Sequence, residues 1–149
     1  MSDTIFSEIR ADHEVQRELI AQLVETTGDS QQRRECFKAL TSELASHAGA
    51  EERFLYRPLM AHDKTQEHAR HSVAEHHELD EMIEKLRDYE MDGSAWLPAA
   101  KELQERLSHH LDEEEVEIFP VAGKVLTEEE KAALASEYRA DMDRRKTEG

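Results

Sequence analysis

Four histidines stand in the chain as two pairs with one separation: His13 to His47 and His76 to His110 each span 34 residues. The sequence around them repeats as well. Setting His13 over His76 places an acidic residue before each histidine and lays Leu19, Ile20 and Leu23 on Met82, Ile83 and Leu86. Setting His47 over His110 lays Glu51 on Glu114, Glu52 on Glu115, Leu55 on Ile118 and Tyr56 on Phe119. Choosing His77 or His109 instead breaks the equality. A duplication of this kind asks for two similar helical hairpins related by a pseudo-twofold axis, with equivalent positions at equal heights and facing that axis.

Apolar residues recur at three- and four-residue steps throughout, the mark of amphipathic helices. The first stripe runs from Asp3 to about Thr27, and "TGDSQQ" interrupts it, with Gly28 as a stop and Asp29 or Ser30 as the next cap. A second helix carries Phe37, Leu40, Leu44, Phe54, Leu55 and Leu59 and ends near Pro58 to Ala61. The third, capped by Asp63 or Thr65, follows Val73, Leu79, Ile83 and Leu86 to "YEMDGS", where Gly93 stops it and Ser94 caps a fourth. That fourth helix runs through Trp96, Leu103, Leu107, Leu111 and Ile118 to about Gly123, and a fifth opens with a capping box from Thr127 to Glu130. The expected fold is all-α: an antiparallel up-down-up-down four-helix bundle over 1–124, with an additional C-terminal helix and tail over 125–149.

On a helix each residue advances about 100° and 1.5 Å, so positions four apart share a face. His47 with Glu51, and His110 with Glu114, therefore point the same way, and both pairs fall inside the apolar stripe. A lone pair of this kind is usually an ordinary polar contact. Two such pairs in matched frames, joined by His13 and His76, bring four imidazoles and two carboxylates into one core. Burying an unpaired carboxylate costs several kcal/mol or forces it to take a proton, so the group calls for a compensating cation. Imidazole with carboxylate suits iron, manganese or zinc, and two carboxylates can each bridge two ions. His62, His68, His71, His77 and His109 fall off this face or far along it and read as solvated or outlying. Within "DEEEVE", all but Glu114 read as a solvated face, except that Glu117 lies near the wheel angle of His110 and is a spare ligand candidate.

Other chemistries are excluded or disfavoured. No glutamate stands three residues before any histidine, which removes the Glu-x-x-His di-iron pattern, and there is no HExxH, no glycine-rich phosphate loop and no Gly-x-Ser-x-Gly elbow. A formal charge of −16 opposes nucleic acid and anionic lipid as partners while favouring cations. Cys36, the single cysteine, cannot form an internal disulfide and reads as a packing residue. The first residues, "MSDTIFSEIR", lack a basic segment followed by an apolar run, and no window approaches a membrane span. The expected location is the cytoplasm.

The stretches "DHE", "HAGAEERFLY", "AEHHEL" and "HHLDEEEVEIFP" resemble the hemerythrin-like HHE cation-binding family, of bacterial type, over roughly residues 5 to 122. The resemblance implies a four-helix bundle with a non-haem di-iron centre that meets O2, peroxide or nitric oxide. Residue by residue it matches His13, His47, Glu51, His76, His110 and Glu114 to the metal ligands, with two iron ions, oxo- or hydroxo-bridged, as the cofactor. The oxygen carriers have another histidine one turn before the one matched by His76, and that position is Ser72 here. Their helix-four acid also falls five residues after its histidine rather than four, the spacing here being common in bacterial HHE proteins. More than one coordination position is then left open, to be closed by water, Glu117 or His68. Open positions favour redox turnover, a peroxidase-type reaction with no catalytic groups beyond the ligands, over clean reversible oxygenation. The alternative is a non-enzymatic O2 carrier or sensor, or an iron-responsive metal-binding module.

Overall fold

The computed structural model of the chain describes residues 4–148. Asp3, where the first apolar stripe begins, lies outside the described residues. Helix α1 spans Ile5–Val24, α2 Gln31–Glu51, α3 Arg57–Leu59, α4 Gln66–Asp88, α5 Trp96–Glu113, α6 Phe119–Val125 and α7 Glu128–Glu148. Helices α1 and α2, α4 and α5, and α1 and α5 pack against one another, and α2 closes the ring on α4 through the turn that follows it. The result is the expected antiparallel bundle, with α7 laid along α1 and α2. No described helix is long and apolar enough to cross a membrane.

Local chemistry sets most helix ends. Thr4 and Ser7 form a capping box that opens α1, and Ser30 accepts from the Arg33 amide at 3.1 Å to open α2. Gly28, at φ +62°, takes the left-handed conformation that ends the first arm. Thr127 and Glu130 exchange bonds at 2.8 and 3.1 Å at the start of α7. Thr65 stands at the N-cap of α4 as expected, although its hydroxyl donates back to the Leu59 carbonyl at 2.7 Å rather than accepting from the first turn. One expected cap is corrected: Ala95 rather than Ser94 precedes α5.

The second and fourth arms are not continuous α-helices. A π-helical turn, Glu52–Tyr56, follows α2, and another, Glu114–Ile118, follows α5. In both arms a proline stands two residues past the turn, Pro58 and Pro120. Proline has no N–H, and in a regular α-helix its ring collides with the carbonyl four residues back. Those carbonyls belong to Phe54 and Val116, inside the two π turns, where the wider i to i+5 winding relieves the clash. The second arm therefore continues through Pro58 to end at Leu59, within the expected Pro58 to Ala61, and the fourth continues through Pro120 to Val125.

Two apolar clusters fill the bundle. Ile5, Phe6, Ile9, Leu55, Tyr56, Ile118, Phe119, Tyr138 and Met142 pack at one end, and Ile20, Leu23, Leu40, Leu86, Trp96, Leu103 and Leu107 at the other. Each fully buried aliphatic side chain stabilises by about 1.5–3 kcal/mol. Trp96 closes its end under the Arg33 guanidinium, 4.2 Å from the ring, which also donates to Thr26 Oγ1 at 2.9 Å. Cys36 packs there too, its thiol 3.4 Å from the Leu19 carbonyl. Between the two clusters every arm contributes a histidine.

Candidate metal centre

His13 on α1, His47 on α2, His76 on α4 and His110 on α5 are all buried, and Glu51 and Glu114 are 0% exposed. The six side chains meet on the bundle axis. His13 Nε2 lies 2.9 Å from Glu114 Oε1, and its repeat equivalent, His76 Nε2, lies 3.1 Å from Glu51 Oε1. His47 Nε2 and His110 Nε2 stand 3.4 and 3.8 Å from the acids one turn on, Glu51 and Glu114. The rings pair across the axis, His13 with His47 at 5.2 Å and His76 with His110 at 5.0 Å.

All four Nε2 atoms and all four carboxylate oxygens are buried without a hydrogen-bond partner among the described residues. Those eight atoms divide into two donor sets, His13, His47, Glu51, Glu114 and Glu51, His76, His110, Glu114, each with its atoms within 4.8 Å of one another. Both sets share the two carboxylates. Leaving so many polar atoms unpaired in a core costs far more than a small domain's margin of stability. Lone pairs converging on two points are what a pair of cations needs, so the donor set fits two metal ions.

The outward ring nitrogens fix the direction of those lone pairs. Nδ1 of His13 donates to Glu115 at 2.5 Å, that of His76 to Glu52 at 2.8 Å, and that of His110 to Glu75 at 2.8 Å. A neutral ring that donates from Nδ1 must present Nε2 as an acceptor, aimed inward. The repeat governs these partners as well, since Glu52 is equivalent to Glu115 and Asp12 to Glu75. One substitution of roles breaks the symmetry. Asp12 is a carbon shorter than Glu75, and its oxygen stops 3.8 Å from His47 Nδ1. The Tyr138 hydroxyl of α7 fills the gap, accepting from His47 at 2.5 Å and donating to Asp12 at 2.5 Å. Arg139 holds Asp12 from the other side at 3.2 Å.

Charge is tightly constrained in this space. Burial alone would raise the Glu51 carboxyl, but the charge of His47 and the close approach of the His47 and His76 imidazoles hold it well below the usual range. Glu114 goes the other way, pushed well up by burial and by the charge of Glu51. Burial opposes protonation of His47 and His76, yet Glu51 with Asp12, and Glu51 with Glu52, lift both to about 9. His13 is pushed down to about 4 by burial and the His47 charge. Without a cation the cluster balances itself with protons.

A narrow cavity of about 20 Å³ adjoins the cluster, bounded by His47, His76, His110, Leu44, Leu79 and Ile83. Gln16, which also lines it, is 1% exposed. Neither polar atom of its amide has a partner among the described residues.

Several outlying residues differ from expectation. Glu117 is exposed and joins neither donor set, because the π turn advances each residue by less than the α-helical angle and swings it off the His110 face. His68 lines a surface pocket with Asp63 and Glu67 and is likewise outside both sets. Glu115, expected on a solvated face, is instead half-buried against His13 and Arg17. Ser72, where the oxygen carriers have a histidine, is fully buried, and its hydroxyl, like that of Tyr56, has no partner among the described residues. Sequence reasoning missed Tyr138, Gln16 and the roles of Glu52 and Glu75. The repeat held the signal for the two glutamates, and nothing local marks Tyr138.

Comparison with known proteins agrees with the geometry. The Hemerythrin HHE cation binding domain family matches residues 4–122. An uncharacterised hemerythrin-like protein of Schizosaccharomyces pombe is 35% identical over 98 residues, 64% of this chain and 48% of that protein. The chain thus spans about half the length of that curated relative. The crystal structure of a hemerythrin HHE cation-binding domain-containing protein from Mycobacterium kansasii superposes with a TM-score of 0.87, covering 97% of this chain and 88% of that one at 23% identity, a likeness of fold. With its matched donor sets in a four-helix frame, the chain belongs to the hemerythrin HHE cation-binding family.

Proposed function

We propose that the six buried side chains hold two iron ions, His13 and His47 on one, His76 and His110 on the other, with Glu51 and Glu114 shared between them. The observation that carries this reading is the convergence of eight unpartnered donor atoms on two points. A bound iron pair supplies Lewis acidity and two electrons for a small oxidant, O2, hydrogen peroxide or nitric oxide.

The protein's part is selection and orientation. The cavity has room for roughly one water, which suits a ligand of two heavy atoms and rejects organic substrates. Leu44, Leu79 and Ile83 make part of its wall apolar, and Gln16 offers it an amide N–H with no competing partner among the described residues. Glu115, Glu52, Glu75 and the Tyr138–Asp12 pair hold the rings in one tautomer and increase their basicity. Ser72 in place of a fifth histidine favours turnover of peroxide or a related oxidant over simple carriage. The apolar stretch of wall formed by Leu44, Leu79 and Ile83 favours the second reading, a reversible O2 carrier or a sensor. A cytoplasmic setting, where reduced iron is at hand, suits both.

Metal analysis of protein produced with iron available, read with its near-ultraviolet spectrum, is the test. About two irons per chain with oxo-bridge absorption are expected, and fewer than one metal per chain overturns the reading. Adding peroxide or O2 to the reduced, loaded protein then separates the alternatives. Repeated turnover marks the enzyme, and a stable, reversible oxy spectrum marks the carrier.

A further inference from the structure

The outer face of α4 and α5 carries the His-x-x-x-Glu arrangement a second time. His71 and Glu75 stand one turn apart on α4, and His109 and Glu113 one turn apart on α5. The arms cross: His71 Nε2 lies 2.8 Å from Glu113 Oε1 and 3.4 Å from Glu75 Oε2, while His109 Nε2 lies 3.0 Å from Glu113 Oε2. Donor atoms of His71, Glu75 and Glu113 fall within 4.8 Å of one another, a third set beside the two buried ones. His109 joins through the other oxygen of Glu113.

Ordinary surface ion pairs join long, mobile side chains and stabilise by at most about 1 kcal/mol. Here the two carboxylates are held in place. Glu75 is 7% exposed, and its Oε1 is fixed by His110 Nδ1 at 2.8 Å, which leaves Oε2 turned to His71. Glu113 is also partly covered and divides its oxygens between two imidazoles. The imidazoles, 54% and 66% exposed, face solvent and are free to receive a cation from it.

We propose that His71, Glu75, Glu113 and His109 form a second metal site, open to solvent, that binds a divalent first-row cation such as Fe2+, Mn2+ or Zn2+. Two nitrogens and two carboxylates with room for water suit these ions, and the acidic surface concentrates cations near it. Glu75 belongs to both neighbourhoods, touching His71 with one oxygen and His110 with the other. A cation held here is therefore one carboxylate and one imidazole away from the buried cluster. This makes the site an intake stop for iron, a role that rests on the buried cluster being a metal centre.

Co2+ added to the metal-free chain tests the site. Bound Co2+ is counted by equilibrium dialysis, and its paramagnetism shifts the ring protons of histidines that ligate it. The wild type is expected to bind one Co2+ beyond those in the buried cluster and to show shifted signals from His71 and His109. The double variant His71→Ala/His109→Ala, altered only at exposed positions, is expected to lose that cation or bind it at least about tenfold more weakly, with an unchanged helical spectrum. Equal stoichiometry and affinity in the two proteins overturn the site. In Glu51→Ala, loss of the buried cations with the outer one retained supports both sites. Retention of every cation in Glu51→Ala overturns the buried centre and leaves the surface site standing. Iron uptake from Fe2+ is expected to slow about fivefold or more in the double variant, and equal uptake rates overturn the intake role.

Discussion

The Tyr138 hydroxyl sits 2.5 Å from His47 Nδ1 and donates its own hydrogen bond to Asp12, so a residue of the last helix orients a histidine of the second. The C-terminal helix is thereby part of the centre rather than an appendage to the bundle. Tyr138→Phe leaves His47 facing a 3.8 Å gap to Asp12. Metal affinity is expected to fall about 10- to 100-fold, the usual effect of losing a partner behind a ligating imidazole. Competition with a chelator, followed by iron analysis, measures it, and unaltered affinity would count against the proposed role of His47.

Glu51 belongs to both donor sets, whereas His77 is exposed and belongs to none. Glu51→Ala should therefore abolish binding at both buried positions together, and His77→Ala should leave metal content at the wild-type level. Comparable losses in the two variants would mean that the bundle axis is not the site. Circular dichroism keeps a folding failure apart from a loss of ligand.

Base should act differently on the empty and the loaded protein. His47 and His76, lifted to about 9, bind protons when folded that the unfolded chain releases above its ordinary value of about 6.5. Their contribution to stability is complete below about pH 6.5 and is lost as the pH rises toward 9; Glu114, also raised, acts in the same direction. His13, pushed down to about 4, has the reverse effect, so its share grows between about pH 4 and 6.5. The metal-free melting temperature should peak near pH 6.5 and decline toward pH 9. Bound metal displaces those protons, so the loaded protein should show little decline. Calorimetry at four or more pH values with and without metal decides it.

Gln16 separates function from stability. Its buried amide has no partner among the described residues, which costs about 1–3 kcal/mol. Gln16→Leu should raise the melting temperature while weakening the binding of azide to the iron-loaded protein about tenfold, the worth of one hydrogen bond. An optical titration with azide checks the second half. A variant that binds azide as tightly as wild type would remove Gln16 from the ligand cavity.

The sequence carried a large part of this structure because its message was duplicated. One His-x-x-x-Glu pair is ambiguous, but Glu51 and Glu114 in equal frames leave a single register in which both face inward. Caps at Ser30 and Thr127 were legible for a different reason, being settled by bonds within four residues. Glu115 was not, since a run of acids looks alike from outside and only the neighbouring α1 distinguishes its buried member. Tyr138 depends on a contact spanning 91 residues, which periodicity does not encode. The π turns were hidden in plain view. Pro58 and Pro120 follow both, but apolar periodicity alone does not separate a five-residue π turn from the α-helix it interrupts.

The phenol between Asp12 and His47 gives the two halves of the centre a rank. Both rings of the His76 and His110 half lean on carboxylates, Glu52 and Glu75, whereas His47 in the other half leans on a neutral hydroxyl. An imidazole backed by an anion is the stronger electron donor. If the proposed pair of ions is bound, a molecule given a single cation is expected to lodge it between His76 and His110, the half beside Glu75, and only then fill its neighbour. The repeat offers two seats, and on that reading the C-terminal helix sets which is taken first.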